Sequence, residues 1–223
     1  TSAKKFHYEY LVKSGEGIRR EWGSPHSFSP GRNAGEYRLV DRWRDVPANL
    51  PFYSSAFIQG IFFRQHADSV VETIEPGTLT VKVDASQLRP DERLVMVGDC
   101  PELGDWDVLK APLLNDSAFP EWQITLDGKQ LKFPFEYKFV IVRTHQREVV
   151  AWETGENRIC REKPQNPSEA VVVSGLRFNG SESQWRGAGT AIPVFSLRTD
   201  YGFGIGEFID LKYLVDWALR TGQ

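Results

Sequence analysis

The sequence predicts a mainly β protein built around a small β-sandwich, with a partial copy of that sandwich before it and one β-α unit after it. Three observations carry this. Six or seven short alternating segments follow one another at hairpin spacing in about 100 residues of mid-chain, the pattern of a sandwich. The N-terminal stretch repeats part of that series. The apolar period changes from 2 to 3.6 only near the C-terminus.

In the first segment, "KKFHYEYLVKSGEGIRREW", alternating Phe6, Tyr8 and Tyr10 run into a "KSGEG" turn and a return toward Trp22, which reads as a hairpin. "GEYRLVDRW" at 35–43 offers a further strand. "RDVPANLPFYSSAFIQGIFFRQ" loses the alternation and carries two prolines, so it reads as an ordered connector. From Thr78, "TLTVKVDA" alternates and "ERLVMVGD" follows an "LRPD" turn; "EWQITLDG", "FPFEYKFVIV", "REVVAWE" and "EAVVVSGLRF" complete the series. No helix of ten or more residues separates these strands, which argues against a parallel α/β layout. After Gly187, "TAIPVFSL" reads as a buried strand. "GEFIDLKYLVDWALRTG" then sets Phe208, Leu211, Leu214, Val215, Ala218 and Leu219 on one helical stripe, with Gly222 as its stop.

Laying "FHYEYLVKSGEGIRREWG" over "FEYKFVIVRTHQREVVAWETG" matches Phe6 to Phe135 and Tyr8 to Tyr137, and Trp22 falls near Trp152. "VDRW" at 40–43 then sits where "GLRF" sits at 175–178. The expected organisation is therefore 1–44 as the C-terminal part of a first sandwich, 45–75 as connector, 76–179 as a complete second sandwich, and 180–223 as linker and β-α unit. A start at Thr1, in strand material and without an initiator Met, points to a longer parent.

The 223 residues are enough to bury a core without staples. With 27 basic and 30 acidic residues the formal charge is −3 and no basic stripe stands out, so no nucleic-acid partner is expected. Apolar runs are too short to span a bilayer, and no membrane partner is expected. Cys100 and Cys160 suggest free thiols in a reducing, cytoplasmic compartment, and the acceptor patterns at Asn115 and Asn179 read as chance matches. Aromatic residues make up 13% of the chain, with seven Trp.

Trp106 in "ELGDW" and Trp152 in "VAWETGENR" both sit at strand ends beside turn residues. Held by a rigid sheet, two such indoles offer an apolar platform for the C–H faces of sugar rings. Sugar hydroxyls also need polar partners when covered, and Lys138, Glu153 and Asn157 are placed to supply them. Periodicity alone leaves both rings open between core and ligand. Trp122, leading the alternating "QITL", reads as core; Trp43 and Trp185 read as packing or interface residues, and Trp217 lies off its helix's main stripe.

"GDCPELGDWDVLKA", "PEWQITL", "FEYKFVI" and "AWETGENR" together resemble the starch-binding modules of carbohydrate-binding family 20, immunoglobulin-like β-sandwiches that grip α-1,4-glucan. The resemblance covers roughly 76–179 and implies a glucan site at Trp106, Lys138, Trp152, Glu153 and Asn157. A complete second site of the family is not expected here, with Pro90 near its leading tyrosine and Phe119 a further candidate contact. The partial first module keeps Trp22 as a candidate, with Glu9 opposite the family's lysine and His26 near its asparagine. "DRWRDVPANLPFYSSAFIQGIFFR" and "GAGTAIPVFSLRTDYGFGIGEFIDLKYLVDWALRTG" resemble the 4-α-glucanotransferases of glycoside hydrolase family 77. The second stretch is similar to the first β-α unit of their (β/α)8 barrel, which makes Tyr201 a candidate sugar contact.

The resemblance implies binding of maltodextrin, glycogen or a soluble heteroglycan by the N-terminal region of an enzyme that transfers α-1,4-glucan segments by a retaining mechanism. It places none of that enzyme's catalytic carboxylates in this chain. Asp200 falls in a turn, and Glu207 and Asp210 open a helix, where acids favour the dipole. No cofactor or metal is expected, and "GFGIG" lacks the Lys-Ser/Thr ending of a phosphate loop. An apolar stripe on the last helix points to self-association. Two alternatives remain open: a non-catalytic glucan-binding adaptor, and a purely structural or dimerising sandwich.

Overall fold

Alternation along the central strands sends one set of side chains inward and the other outward, and the core follows that rule. The computed structural model describes residues 5–15, 17–31, 35–47, 50–62, 74–180 and 190–222. Parts of the expected connector and linker, with Trp185, lie outside the described residues. Residues 1–181 and 182–223 form two separate compact units.

The N-terminal segment forms β1 (Phe6–Tyr8), β2 (Leu11–Ser14), β3 (Gly17–Arg20), β4 (His26–Phe28) and β5 (Glu36–Asp41). The central stretch supplies β6 (Thr78–Asp84), β7 (Glu92–Gly98), β8 (Asn115–Ala118), β9 (Glu121–Asp127), β10 (Phe135–Arg143), β11 (Val149–Trp152), β12 (Arg158–Cys160) and β13 (Glu169–Arg177). β10 pairs with β7 on one side and with β11 and then β12 on the other, making a four-stranded sheet. The second sheet runs β5-β13-β6-β9-β8.

Inward residues of both sheets meet in one core: Leu79, Val81 and Val83 of β6, Leu94 and Met96 of β7, Phe135, Tyr137, Phe139 and Ile141 of β10, and Val171 and Val173 of β13. Trp122 lies fully inside it, as its alternation predicts, and its indole N–H donates to the Ala85 carbonyl at 2.9 Å. That bond satisfies the one polar atom of a buried indole.

The N-terminal segment is joined to the sandwich. β5 runs parallel to β13 from Glu36↔Glu169 to Asp41↔Ser174, and Phe28, Tyr37 and Leu39 cover Ala170 and Val172 on the outer face of the five-stranded sheet. A buried polar group sits at the end of this seam. The His26 ring lies 2.9 Å from Ser174 Oγ through Nδ1 and 2.9 Å from Glu21 Oε1 through Nε2. Burial alone would raise the Glu21 carboxyl, but hydrogen bonds from Arg44 and His26 outweigh it and hold the group low.

Asp84 behaves in the opposite way. It is pushed up to about 6, first by burial and then by the Glu121 carboxylate, against the pull of Arg44, Arg177 and Lys82. The folded carboxyl holds its proton to higher pH than the unfolded one, so its contribution to stability is present below the usual carboxylate range and is lost as pH rises through about 6. Asp84→Asn is therefore expected to raise the thermal midpoint by a few degrees near neutral pH and to change it little near pH ~4. Equal midpoint shifts at both pH values would overturn that account.

In the second unit, α1 spans Leu211–Thr221 and ends at Gly222, whose φ of 71° suits a left-handed cap. Asp210 secures its start, accepting the Glu207 N–H at 2.8 Å and the Thr199 hydroxyl at 2.8 Å. Two expectations are corrected here. "TAIPVFSL" forms a 3-10 turn at Val194–Ser196 instead of a buried strand; among the described residues this unit has no strand to complete a ladder, and a lone strand leaves its backbone groups unpaired. The helical stripe is divided, with Leu211, Leu214 and Ala218 half-buried and Phe208, Val215 and Leu219 exposed.

Candidate functional site

The outer face of the four-stranded sheet is where the side chains of interest gather. Val95, Val97, Val140 and Val142 point outward from β7 and β10, away from the main core, and form a second fully buried cluster with Ala111. What buries them is the loop that follows β7, which lays Trp106 and Val108 across them. Trp106 is half-buried, so part of its ring seals valines and part faces out. Its position is therefore neither wholly core nor wholly surface.

The loop holds Trp106 in a strained conformation. Gly104, Asp105 and Trp106 all have positive φ, of 82°, 50° and 65°, a region that costs a bulky residue free energy unless its surroundings impose it. The Trp106 N–H donates to the Gly98 carbonyl at 2.7 Å and the Asp105 N–H to Cys100 at 3.1 Å. A Cβ on Gly104 would lie 2.7 Å from the Asp107 carbonyl oxygen, so "LGDW" admits glycine there for shape as well as for φ. Arg147, in the β10–β11 turn, donates to the Leu109 and Ala111 carbonyls at 2.9 and 2.7 Å. This ties the Trp106 loop to the hairpin that carries Trp152.

Trp152 is the last residue of β11 and lies directly across from Val140. Opposed residues share a face, so its ring stands on the outer face, and it is 41% exposed. The backbones of β7 and β11 flank β10 and are about 10 Å apart, so Trp106, from the loop after β7, and Trp152, at the end of β11, reach this face from opposite sides of one strand. Lys138 stands between them on β10, across from Val97. Its ammonium donates to the Gly155 carbonyl at 2.6 Å and to the Glu153 carbonyl at 3.4 Å. The 153–157 turn is thus fastened to the sheet. Asn157 is exposed at the end of that turn, and its amide donates to Glu136 Oε2 at 2.8 Å.

Glu153 departs from expectation. It is only 3% exposed, and its carboxylate accepts the Phe139 N–H at 2.9 Å and the Arg158 guanidinium at 2.9–3.0 Å. Consecutive residues of an extended chain point to opposite faces, so an outward Trp152 sends Glu153 inward. The structure therefore brings together Trp106, Lys138, Trp152 and Asn157, and sets the Glu153 carboxylate beneath them as a bolt. Glu136 and Arg158 were missed at the sequence level. Glu136 was legible two residues before Lys138, on the same face of one strand.

The remaining candidates lie elsewhere. Phe119 packs against the main core, edge-on to Trp122 at 6.2 Å. Trp22 meets Tyr53 edge-on at 4.9 Å and lies under the Arg177 guanidinium. Trp43 donates to Asp45 and carries Arg19 over its ring. Trp217 is exposed on α1. Tyr201 is 85% exposed in the second unit, near Phe203 in sequence, which is also exposed.

With this geometry established, comparison with known families gives one match: residues 78–172 fit the starch binding domain family. These residues form a starch-binding domain. The matched span covers β6 through most of β13 and includes Trp106, Lys138, Trp152 and Asn157. Over 227 aligned residues the chain is 33% identical to the 4-alpha-glucanotransferase DPE2 of Oryza sativa subsp. japonica, an alignment that covers 95% of this chain and 23% of that protein. It is also 29% identical over 89 residues to a cyclomaltodextrin glucanotransferase of Geobacillus stearothermophilus, covering 37% of this chain and 12% of that one. This chain thus spans less than a quarter of either relative. Among solved structures, the family 20 module of the maltotetraose-forming amylase from Pseudomonas saccharophila aligns at 19% identity, 44% of this chain, 99% of that chain and a TM-score of 0.36. In this starch-binding domain the N-terminal strand β5 extends the sheet beyond the matched span.

Proposed function

We propose that the outer face of the four-stranded sheet binds α-1,4-glucan, and that the chain serves as the N-terminal glucan-binding region of a 4-α-glucanotransferase. The observation that carries this reading is the pair of indoles, Trp106 and Trp152, standing on either side of Lys138 within the span that matches the starch binding domain family. The apolar faces of successive glucose rings lie on the two indoles, and ring hydroxyls meet Lys138, Asn157 and the carbonyls of the 153–157 turn. The glucanotransferase assignment draws on the relative from rice, which this chain follows along 95% of its own length.

Maltodextrins, glycogen and soluble heteroglycans all present this repeating unit and fit the same surface. Tyr201 is proposed as a further sugar contact on account of its exposure. Phe119 and Trp22 are left out because both rings are engaged in packing. Buried, unpaired Cys100 and Cys160 support a cytoplasmic location.

Calorimetric titration of the full chain with maltoheptaose or β-cyclodextrin tests the reading. Saturable binding, with quenching or shifting of tryptophan fluorescence, is the expected result. Absence of both at millimolar ligand would leave the domain with a structural role only.

A further inference from the structure

The carbonyls of the 153–157 turn offer neutral acceptors to sugar hydroxyls, and a carboxylate would offer a stronger, charged one. The acid expected there, Glu153, is buried, and its oxygens are held by Arg158 and the Phe139 N–H. Replacing those bonds with a hydroxyl would uncover the guanidinium beneath. A different carboxylate is on the surface. Glu136 is exposed, and it shares the outward face of β10 with Lys138, two residues along.

The strand fixes where Glu136 stands. Its N–H donates to Asp99 Oδ1 at 2.9 Å and its carbonyl accepts the Asp99 N–H at 3.0 Å, so its backbone is held on the β7 side. On the other side the Asn157 amide donates to one carboxylate oxygen at 2.8 Å. Rows along β10 are about 7 Å apart on one face, so Glu136, Lys138 and the Val140–Trp152 row cover roughly 13 Å. That length suits a short run of rings better than a single one. Trp106, anchored through its N–H to Gly98 across from Tyr137, borders the stretch between Glu136 and Lys138.

From this arrangement we infer that Glu136 is the acid of the site: it contacts the sugar directly, its carboxylate accepting hydrogen bonds from adjacent ring hydroxyls while Asn157 orients it. The inference rests on the glucan reading above. A carboxylate has about four lone-pair positions, of which the Asn157 amide takes one. Charge-assisted bonds from two neighbouring hydroxyls are stronger than neutral ones. Such a contact selects rings whose adjacent hydroxyls are both free, and gives the platform a polar preference that stacking alone lacks.

The test is titration of the full chain with maltoheptaose for four proteins: wild type, E136A, N157A and the double variant E136A/N157A, each with its thermal midpoint. E136A is expected to weaken binding by about five- to tenfold with an unchanged midpoint. A loss of similar size is expected when the same change is made on the N157A background, because a direct contact survives loss of its orienting partner. Unchanged affinity of E136A, or a loss that disappears on the N157A background, would overturn the inference and leave Glu136 as a support for Asn157. W152A serves as the control: if wild type binds and W152A does not, while E136A is unaffected, the glucan surface stands and only the role of Glu136 falls. If wild type itself shows no binding, the glucan reading fails first.

Discussion

Trp152→Ala is expected to weaken maltoheptaose or β-cyclodextrin binding by at least tenfold, about 1.4 kcal/mol or more, while leaving the thermal midpoint close to that of the wild type. The ring is 41% exposed and stands on the outer face, so little core packing is lost with it. What disappears is one of the two flat surfaces of a shallow platform. Trp106→Ala should match the loss of affinity but not the neutrality. That ring also seals Val95, Val97, Val140 and Val142, and uncovering four valines costs stability as well as stacking. Calorimetry and thermal melts on both variants separate the two effects. Equal affinities for W152A and wild type would remove the platform from consideration.

The second large effect concerns the bolt beneath the platform. Arg158→Met is expected to destabilise the fold by about 3–5 kcal/mol, because it leaves the Glu153 carboxylate buried without its cation. In a chain of this size that is a fall of roughly 10 °C in the thermal midpoint. Arg158 also donates to the Arg177 carbonyl at 2.7 Å, so β12 and the end of β13 loosen together. The pair of changes Glu153→Gln and Arg158→Met should recover much of the loss, since the double change removes both charges. A midpoint for R158M within a degree or two of wild type would show that the ion pair is dispensable.

Much of the fold was legible because two-residue alternation was clean from β6 to β13. Trp122 could be assigned to the core from its place at the head of such a run, whereas the turn residues beside Trp106 and Trp152 left both rings open between core and ligand. The limits of that reading were equally physical. Glu153 was placed among the sugar partners by its nearness to Trp152, although adjacent residues on an extended chain must face opposite ways. Glu136 was overlooked although the same alternation puts it beside Lys138. Nothing local could announce Arg158 as the partner of Glu153, because the turn that brings them together bulges out of the strand. The strand expected at "TAIPVFSL" had the right residues but, among the described residues of its unit, no ladder to join.

The pairing of β5 with β13 bears on where the starch-binding domain can be cut. By sequence similarity the matched span begins at residue 78, yet the sheet edge it would present there is β13, whose backbone groups are taken up by a strand that starts more than forty residues earlier. Removing the N-terminal segment would leave an unguarded parallel edge over Val171, Val172 and Val173, a template on which another chain could add itself. β5 therefore acts as a guard strand along the edge of the five-stranded sheet, the layer that backs the four-stranded sheet carrying Trp152 and Lys138.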